Sequence, residues 1–201
     1  MTVLAAFLQA HGLTGSDSPL LTKTAGRKDL CALFYALGFR RGAEIGVYSG
    51  RFSEQICLAN PGVHLLCVDP WKAYADYHDP KNLQDKLDTA YDETQRRLAP
   101  YGCEIQRKTS TAAADGVPDG SLDFVYIDGN HAKSYVLADL HAWAKKVRSG
   151  GIVAGHDYEV RKRHDHLQVT DAVDEYTRQQ GIRTFYVLMN DKTPSFFWVV
   201  A

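Results

Sequence analysis

The fold is decided by residues 121–158, SLDFVYIDGNHAKSYVLADLHAWAKKVRSGGIVAGHDY, in which two short apolar runs flank one helical pattern. The first run, 122–127, is rich in large apolar side chains and predicts a buried strand. Apolar residues then recur at intervals of 4, 3 and 4 positions, at Val136, Leu140, Trp143 and Val147. This spacing puts them on one face of a helix, which we expect to end at Gly150 and Gly151. A second strand is predicted over 152–154, so the stretch is typical of two parallel strands joined by a crossover helix.

The same alternation continues along the rest of the chain. Further strands are predicted over 43–47, 63–68, 103–106, 184–188 and 195–200. Helices are predicted near the N-terminus (3–8) and over 27–38, 51–58, 83–98 and 169–179. Alternating strands and helices predict an α/β protein with a Rossmann-like, doubly wound, mainly parallel sheet of seven strands and helices on both faces. A five-residue connection, 190–194, predicts a terminal hairpin, so the last strand should be antiparallel.

Length and composition are those of one globular domain. The 201 residues are 45% hydrophobic and 23% charged, which excludes disordered, collagen-like and coiled-coil chains. We expect a single domain over 1–201, with N-terminal helices in 1–38 and the Rossmann-like core in 39–201. Because 23 basic side chains balance 24 acidic ones, the chain has no net field that would attract nucleic acid or an anionic membrane.

The sequence favours a cytoplasmic protein. No window holds 18 successive apolar residues, and the apolar start lacks the positively charged region and the cleavage site of a signal peptide. The four cysteines lie in apolar contexts and form no CxxC motif: Cys31, Cys57, Cys67 and Cys103. Reduced thiols are therefore expected rather than disulfides or a zinc site.

Acidic residues recur where the predicted strands end. Asp69, Asp128 and Asp157 each follow a strand, and Glu44 lies inside the first core strand, just before a glycine turn. A carboxylate is costly to bury without a partner, and open parallel sheets bind ligands beyond the carboxyl ends of their strands. These acids therefore predict a ligand site at one edge of the sheet.

The loop after the first core strand has the spacing Glu44-x-Gly46-x-x-x-Gly50. Gly46 permits close backbone approach, and Gly50 opens a helix whose N-terminus can receive a polar group. Asp69, 19 residues beyond Gly50, suits the two hydroxyls of a ribose. Together these features predict an adenosine-containing ligand. Two structural alternatives stay open, since such glycines also serve steric needs and Asp69 could cap the turn before Pro70.

Four segments make the chain similar to the class I S-adenosylmethionine-dependent methyltransferases: AEIGVYSGRFSEQI, LLCVDPWKAY, the stretch 121–158 and the terminal hairpin. Within that class the chain resembles methyltransferase domain family 24, with the macrocin-type O-methyltransferases as relatives. The resemblance extends from about residue 27 to residue 201, and the phrases IDGNH and GGIVAGHDY carry most of its specificity. It implies a Rossmann-like fold and S-adenosylmethionine as the cofactor.

The resemblance also implies where the cofactor binds. The residues placed around its methionine part are Glu44, Gly46, Val47, Tyr48 and Gly50. Asp69 would hold the ribose. The residues placed around the adenine are Pro70, Trp71, Thr109 and Ser110. The first motif of the family has a further glycine near the position of Val47 or Tyr48, which this chain lacks, so the loop contacts stay open.

Catalytic chemistry is expected at Asp128, His131, His156 and Asp157. Asp128 and His131 match the family motif after the fourth core strand, which also contacts the cofactor. Metal-dependent relatives hold a divalent cation with carboxylates after the fourth and fifth strands, where this chain has Asp128 and Asp157, with His156 adjacent. These three residues predict a site for Mg²⁺ or Mn²⁺. Tyr158 replaces the Asp or Asn of those relatives, so a metal-free reaction stays open, with His156 or His131 as the general base.

The sequence thus predicts a methyltransferase that acts on a small molecule, at an oxygen atom, with a divalent metal as an optional aid. Two alternatives stay open: a nicotinamide-dependent oxidoreductase, and a non-catalytic module that binds S-adenosylmethionine. We expect neither nucleic acid nor a membrane as partner, and a homo-oligomer is compatible with the sequence. Trp71 with Tyr74, Tyr77 and His78 could form a lid, and the loop 161–166 could contact an acidic acceptor.

Overall fold

A computed structural model describes residues 1–16, 18–73, 83–159 and 168–201. Within these ranges, eight strands form one sheet: β1 (Leu20–Thr22), β2 (Arg41–Ile45), β3 (His64–Val68), β4 (Glu104–Gln106), β5 (Leu122–Ile127), β6 (Val147–Gly155), β7 (Tyr186–Leu188) and β8 (Ser195–Val199). The α-helices are α1 (Val3–Ala10), α2 (Arg27–Ala36), α3 (Arg51–Ala59), α4 (Gln84–Leu98), α5 (Ser110–Ala114), α6 (Lys133–Trp143) and α7 (Val169–Gln179). Two 3-10 helices follow α4 and α6, at Ala99–Tyr101 and Ala144–Lys146. The suggested lid residues Tyr74, Tyr77 and His78 and the loop 161–166 lie outside the described residues.

The strands lie side by side in the order β1-β7-β8-β6-β5-β2-β3-β4. β8 runs antiparallel to both of its neighbours, and the other neighbouring pairs are parallel. This arrangement confirms the doubly wound α/β fold with an antiparallel last strand. The sheet has eight strands rather than seven, because β1 joins its edge by pairing with β7. Three residues are too few to show a periodic pattern, and β1 lies in the segment 1–38, which we expected to be helical.

The boundary after α6 differs from the expectation. The helix ends at Trp143, and Val147, which fits the helical spacing, is instead the first residue of β6. The pairing of β6 with β5 then shifts register, so β6 contains an irregular bulge. Gly150 has a φ of 74°, and a Cβ on Gly151 would lie 2.5 Å from the carbonyl oxygen of Asp123. The two glycines therefore permit the bulge instead of ending the helix.

Both faces of the sheet are covered because alternate residues of its central strands point to opposite sides. Phe124 of β5 faces the helices α2 and α3, whereas its neighbour Val125 faces α6 and α7. On the first face, the ring of Phe34 stacks on Phe124 with 4.1 Å between ring centroids. Gly42 of β2 makes room for this stack, since a Cβ there would lie 2.1 Å from the Phe124 ring.

The four cysteines carry free thiols, as the sequence predicts. The sulfur atoms of Cys57 and Cys103 are 3.4 Å apart, which is a contact between thiols and far longer than the roughly 2 Å of a disulfide. Within the described ranges, no helix has both the length and the apolar character needed to cross a membrane.

Replacing Phe34 tests the packing of α2 on the sheet. The ring is 0% exposed, so Phe34→Ala should lower the free energy of unfolding by about 3–5 kcal/mol, measured by urea denaturation. Tyr35→Ala is the matched control, because this neighbouring ring is 51% exposed and its loss should cost less than about 1 kcal/mol. Equal losses in the two variants would contradict the orientation of α2.

Candidate active site

The carboxyl ends of β2, β3, β5 and β6 border one cavity of about 860 Å³, a volume that suits a cofactor-sized ligand. Predicted site residues from the first half of the chain that line it are Glu44, Gly46, Val47, Tyr48, Asp69 and Pro70. From the second half, Thr109, Ser110, Asp128, His131, His156 and Asp157 line it. The structure therefore brings nearly all of the predicted residues together, and the two that do not line the cavity are Gly50 and Trp71.

The loop between β2 and α3 approaches the end of β5 very closely. Gly46 has a φ of 89°, and a Cβ at this position would lie 2.1 Å from the backbone oxygen of Asp128. Gly50 has a different task, since it caps α3 with a left-handed backbone (φ 72°) that faces Thr94 of α4. Gly46 therefore shapes the cavity, whereas Gly50 orients the helix behind it.

Asp69 organises the same loop from the end of β3. Its Oδ2 accepts hydrogen bonds from the backbone N–H groups of Val47 and Tyr48, at 3.0 and 2.9 Å. Its Oδ1 accepts a third from the N–H of Trp71, at 2.7 Å. Burial raises the pKa of Asp69, and these three N–H groups oppose the rise. A carboxylate has about four acceptor positions, so one is left for a ligand hydroxyl in the cavity.

Trp71 supports the loop from behind, contrary to the expectation that it lies beside an adenine. Its side chain is 0% exposed and packs against Tyr91, with 4.8 Å between ring centroids. The indole Nε1 donates to the carbonyl oxygen of Tyr48 at 2.7 Å. A buried indole needs a partner for its N–H, and taking the Tyr48 carbonyl draws the ring away from the cavity.

Glu44 is a buried carboxyl that faces the cavity. The residue is 1% exposed and accepts a hydrogen bond from the Ser53 hydroxyl. Burial holds the pKa of Glu44 well above its usual range, and the nearby Asp128 and Asp69 add to the rise. A cationic ligand group beside Glu44 would stabilise its charged form.

Asp128, His131 and Asp157 form a cluster whose ligand atoms lie within 4.8 Å of one another. His131 Nε2 is 2.9 Å from Asp157 Oδ2 and 3.7 Å from Asp128 Oδ1. His156, expected as the third metal ligand, contacts the other oxygen of Asp157, with its Nδ1 3.2 Å from Oδ1, and this Nδ1 is 3.8 Å from Asp128 Oδ1. Its Nε2 is 3.4 Å from the hydroxyl of Thr193. The two acids therefore lie between both imidazoles, and His131 is the ring whose ligand atom groups most tightly with them.

The two carboxylates raise the pKa values of both imidazoles of this cluster. Burial alone would lower the pKa of His131, but hydrogen bonds to Asp128 and Asp157 outweigh it and raise the pKa to about 10. The pKa of His156 is raised in the same way, burial being outweighed by Asp157 and Asp128. The pKa of Asp157 lies well below its usual range, because its contacts with both rings outweigh its burial. Without a metal, His131 therefore already holds its proton at neutral pH and cannot act as a general base.

Asp139 of α6 is a cavity residue that the sequence reasoning missed. It is 6% exposed, and burial raises its pKa to about 6, against a hydrogen bond from the Ser110 hydroxyl. Ser110 is held in turn by the Trp143 Nε1, which donates to its Oγ at 2.8 Å. Its position could have identified it, because Asp139 is an acid on the apolar helix face that it shares with Val136, Leu140 and Trp143. Arg27 and Thr193 also line the cavity, and no local pattern marks either of them.

Comparison with known families agrees with this geometry. A family model described as a methyltransferase domain matches residues 43–158, which contain β2 to β6 and most of the cavity. A protein of Sinorhizobium fredii, y4gI, is 28% identical over 136 residues, which are 65% of this chain. The chain spans only 14% of the length of that curated relative.

Two solved structures share the fold at low sequence identity. An O-methyltransferase from Bacillus cereus, solved in complex with SAH, is 14% identical with a TM-score of 0.62, covering 99% of this chain and 90% of its own. The O-methyltransferase TomG from Streptomyces achromogenes, solved with SAM, is 17% identical with a TM-score of 0.58 and the same coverage. These likenesses support the Rossmann-like methyltransferase fold expected from the sequence.

Asp139→Asn should make the ligand-free protein more stable than the wild type at pH 7.5, by about 2–3 kcal/mol. The folded carboxyl has a pKa of about 6, whereas the unfolded one titrates near 3.9. The protonated carboxyl therefore contributes fully to the free energy of unfolding below about pH 4, and this contribution is lost as the pH rises through 6. Urea denaturation across pH 5–8 measures the difference, which should shrink toward pH 5.

The exposed Asp92→Asn serves as the control and should leave the pH profile unchanged. A gain in Asp139→Asn that is the same at pH 5 and pH 7.5 would contradict the assigned burial of this carboxyl.

Proposed function

Because the chain belongs to the family of methyltransferase domains, we propose that the protein transfers the methyl group of S-adenosylmethionine to an oxygen atom of a small molecule. The observation that carries this proposal is one cavity that is lined both by the Gly46 loop with Asp69 and by the Asp128–His131–Asp157 cluster. The Bacillus and Streptomyces proteins are both O-methyltransferases, which supports oxygen as the acceptor atom.

The first half of the cavity suits the cofactor. When bound, S-adenosylmethionine supplies a methyl group that is already activated on a sulfonium, so the protein has chiefly to align the reactants. Glu44 suits the cationic amino group, which would hold its carboxyl in the charged form. Asp69 has one acceptor position left for a ribose hydroxyl. Ser110 and Asp139 provide polar contacts for the adenine end.

The second half of the cavity suits a divalent cation. Two carboxylates and an imidazole are a donor set for Mn²⁺ or Fe²⁺, and Mg²⁺ would use the carboxylates alone. Asp128, His131 and Asp157 would hold the ion, which when bound lowers the pKa of a coordinated hydroxyl. His131 must give up its proton for this, and metal binding therefore competes with protonation of that ring. The cluster thus serves either as a protonated ion pair or as a metal site.

The nicotinamide alternative is disfavoured by the loop geometry. A pyrophosphate would need free backbone N–H groups where the loop leads into α3. The N–H groups of Val47 and Tyr48 instead donate to Asp69. The accessory-module alternative is tested by turnover: methyl transfer to any acceptor that disappears in Asp157→Ala would refute it.

Gly46→Ala tests the cofactor half. Titration calorimetry should detect micromolar binding of S-adenosylhomocysteine to the wild type and at least about tenfold weaker binding to the variant, because a Cβ would press on the Asp128 backbone. Gly38→Ala is the matched control, since Gly38 also has a positive φ (73°) but open space around its Cβ. A wild type that does not bind S-adenosylhomocysteine would refute the proposed function.

Asp157→Asn tests the cation half. Mn²⁺ affinity, measured by electron paramagnetic resonance with S-adenosylhomocysteine present, should fall at least about tenfold, because one anionic ligand becomes neutral. The affinity for S-adenosylhomocysteine should stay within about twofold of the wild type, and Asp92→Asn should change neither value. Wild-type protein without Mn²⁺ or Mg²⁺ binding would remove the metal from the proposal and leave the methyl donor in place.

A further inference from the structure

Arg27, the first residue of α2, brings a positive charge to the cavity. It is half-buried and lines the same space as His156 and Asp157. Its guanidinium lies over the ring of Phe52, with Cζ 5.0 Å from the ring centroid. In the part of the chain that the structure describes, this guanidinium has neither an ion-pair partner nor a hydrogen bond.

The backbone of Arg27 is fixed by the hairpin between β7 and β8. Its N–H donates to Asp191 Oδ2 at 2.6 Å, and the N–H of Asn190 donates to the carbonyl oxygen of Ala25 at 3.0 Å. Gly26 is pressed against the same carboxylate, since a Cβ there would lie 2.4 Å from Asp191 Oδ2. The start of α2, from which Arg27 lines the cavity, is therefore held in place.

The cavity acids are already occupied by other partners. Asp69 accepts three backbone N–H groups, and Asp157 contacts two imidazoles. Glu44 accepts the Ser53 hydroxyl and forms no ion pair with Arg27 among the described residues. A half-buried guanidinium without a carboxylate is costly unless a ligand supplies the counter-charge, and its planar fork matches a carboxylate best.

We propose that Arg27 forms a carboxylate-binding subsite of this cavity. The inference rests on the proposed methyl transfer, which leaves two sources for the carboxylate: the amino-acid end of the cofactor, or the methyl acceptor. Arg27 lines the same cavity as Glu44 and His156, and its guanidinium lies over Phe52 of α3. If the methyl acceptor is the source of the carboxylate, the acceptor is an acidic small molecule whose carboxylate binds Arg27.

The test compares Arg27→Met, which keeps the apolar stem, with Lys28→Met, an adjacent exposed cation that controls for net charge. Calorimetry first measures S-adenosylhomocysteine and 5′-methylthioadenosine, which lacks the amino-acid end. If Arg27→Met, but not Lys28→Met, loses at least about tenfold in affinity for S-adenosylhomocysteine and keeps its affinity for 5′-methylthioadenosine, the cofactor is the source of the carboxylate. Arg27→Lys should recover part of the affinity, because it restores the charge without the fork.

The second arm measures 3,4-dihydroxybenzoate and catechol, with and without S-adenosylhomocysteine. A loss of at least about tenfold for 3,4-dihydroxybenzoate, with catechol unchanged, supports an acidic acceptor. The proposal is overturned if Arg27→Met binds S-adenosylhomocysteine as the wild type does and no Arg27-dependent binding of 3,4-dihydroxybenzoate exists. Failure of the proposed function is a separate result, namely a wild type that binds no S-adenosylhomocysteine.

Discussion

The close approach of β2 and β5 at their carboxyl ends is the constraint on which the cavity depends. The absent Cβ of Gly46 would lie 2.1 Å from the Asp128 carbonyl oxygen, so glycine alone lets the two ends meet. β2 and β5 are neighbours in the sheet although α3, β3, α4, β4 and α5 separate them along the chain. Open α/β sheets bind ligands in the crevice that such a crossover leaves. Since one contact joins the loop after β2 to the first acid of the cluster, it fixes the distance between this loop and the Asp128–His131–Asp157 group.

The acids of this crevice are compatible with a stable fold because each is compensated differently. Burial drives Glu44 toward its protonated form, with the Ser53 hydroxyl as its donor. Asp69 accepts three backbone N–H groups, and Asp157 contacts two imidazole rings. A chain with a net charge of −1 thus concentrates its acids at one edge without building a field that would repel an anion.

Sequence reasoning succeeded where a periodic pattern is long and failed where tertiary contacts decide. The helix pattern of α7 and the buried run of β5 are confirmed over their whole lengths, 169–179 and 122–127. β1 and α5 have three and five residues, too few for a period to appear. Val147 fits the helical spacing of α6, yet pairing with β5 makes it part of a strand. Secondary-structure periodicity carries no information about such a choice.

The same distinction holds at the site. Strand-end acids were predictable because the carboxyl ends of parallel strands meet at one edge. His131 and His156 each contact a different oxygen of the Asp157 carboxylate, and Trp71 is turned inward by its hydrogen bond to Tyr48. Both arrangements depend on three-dimensional packing, which the order of residues along the chain does not reveal.

The antiparallel last strand explains why the two ends of the chain contribute to the cavity. β8 runs opposite to β6 and β7, so its first residue, Ser195, lies at the edge where those strands end. The connection 190–194 therefore lies beside the cavity. There Thr193 contacts His156, and Asp191 holds the start of α2. β1 is the outermost strand next to β7, so the segment before the core is attached to the sheet on the side of the hairpin. Through Arg27 and Thr193, α2 and the hairpin therefore line the cavity together with the loop after β2.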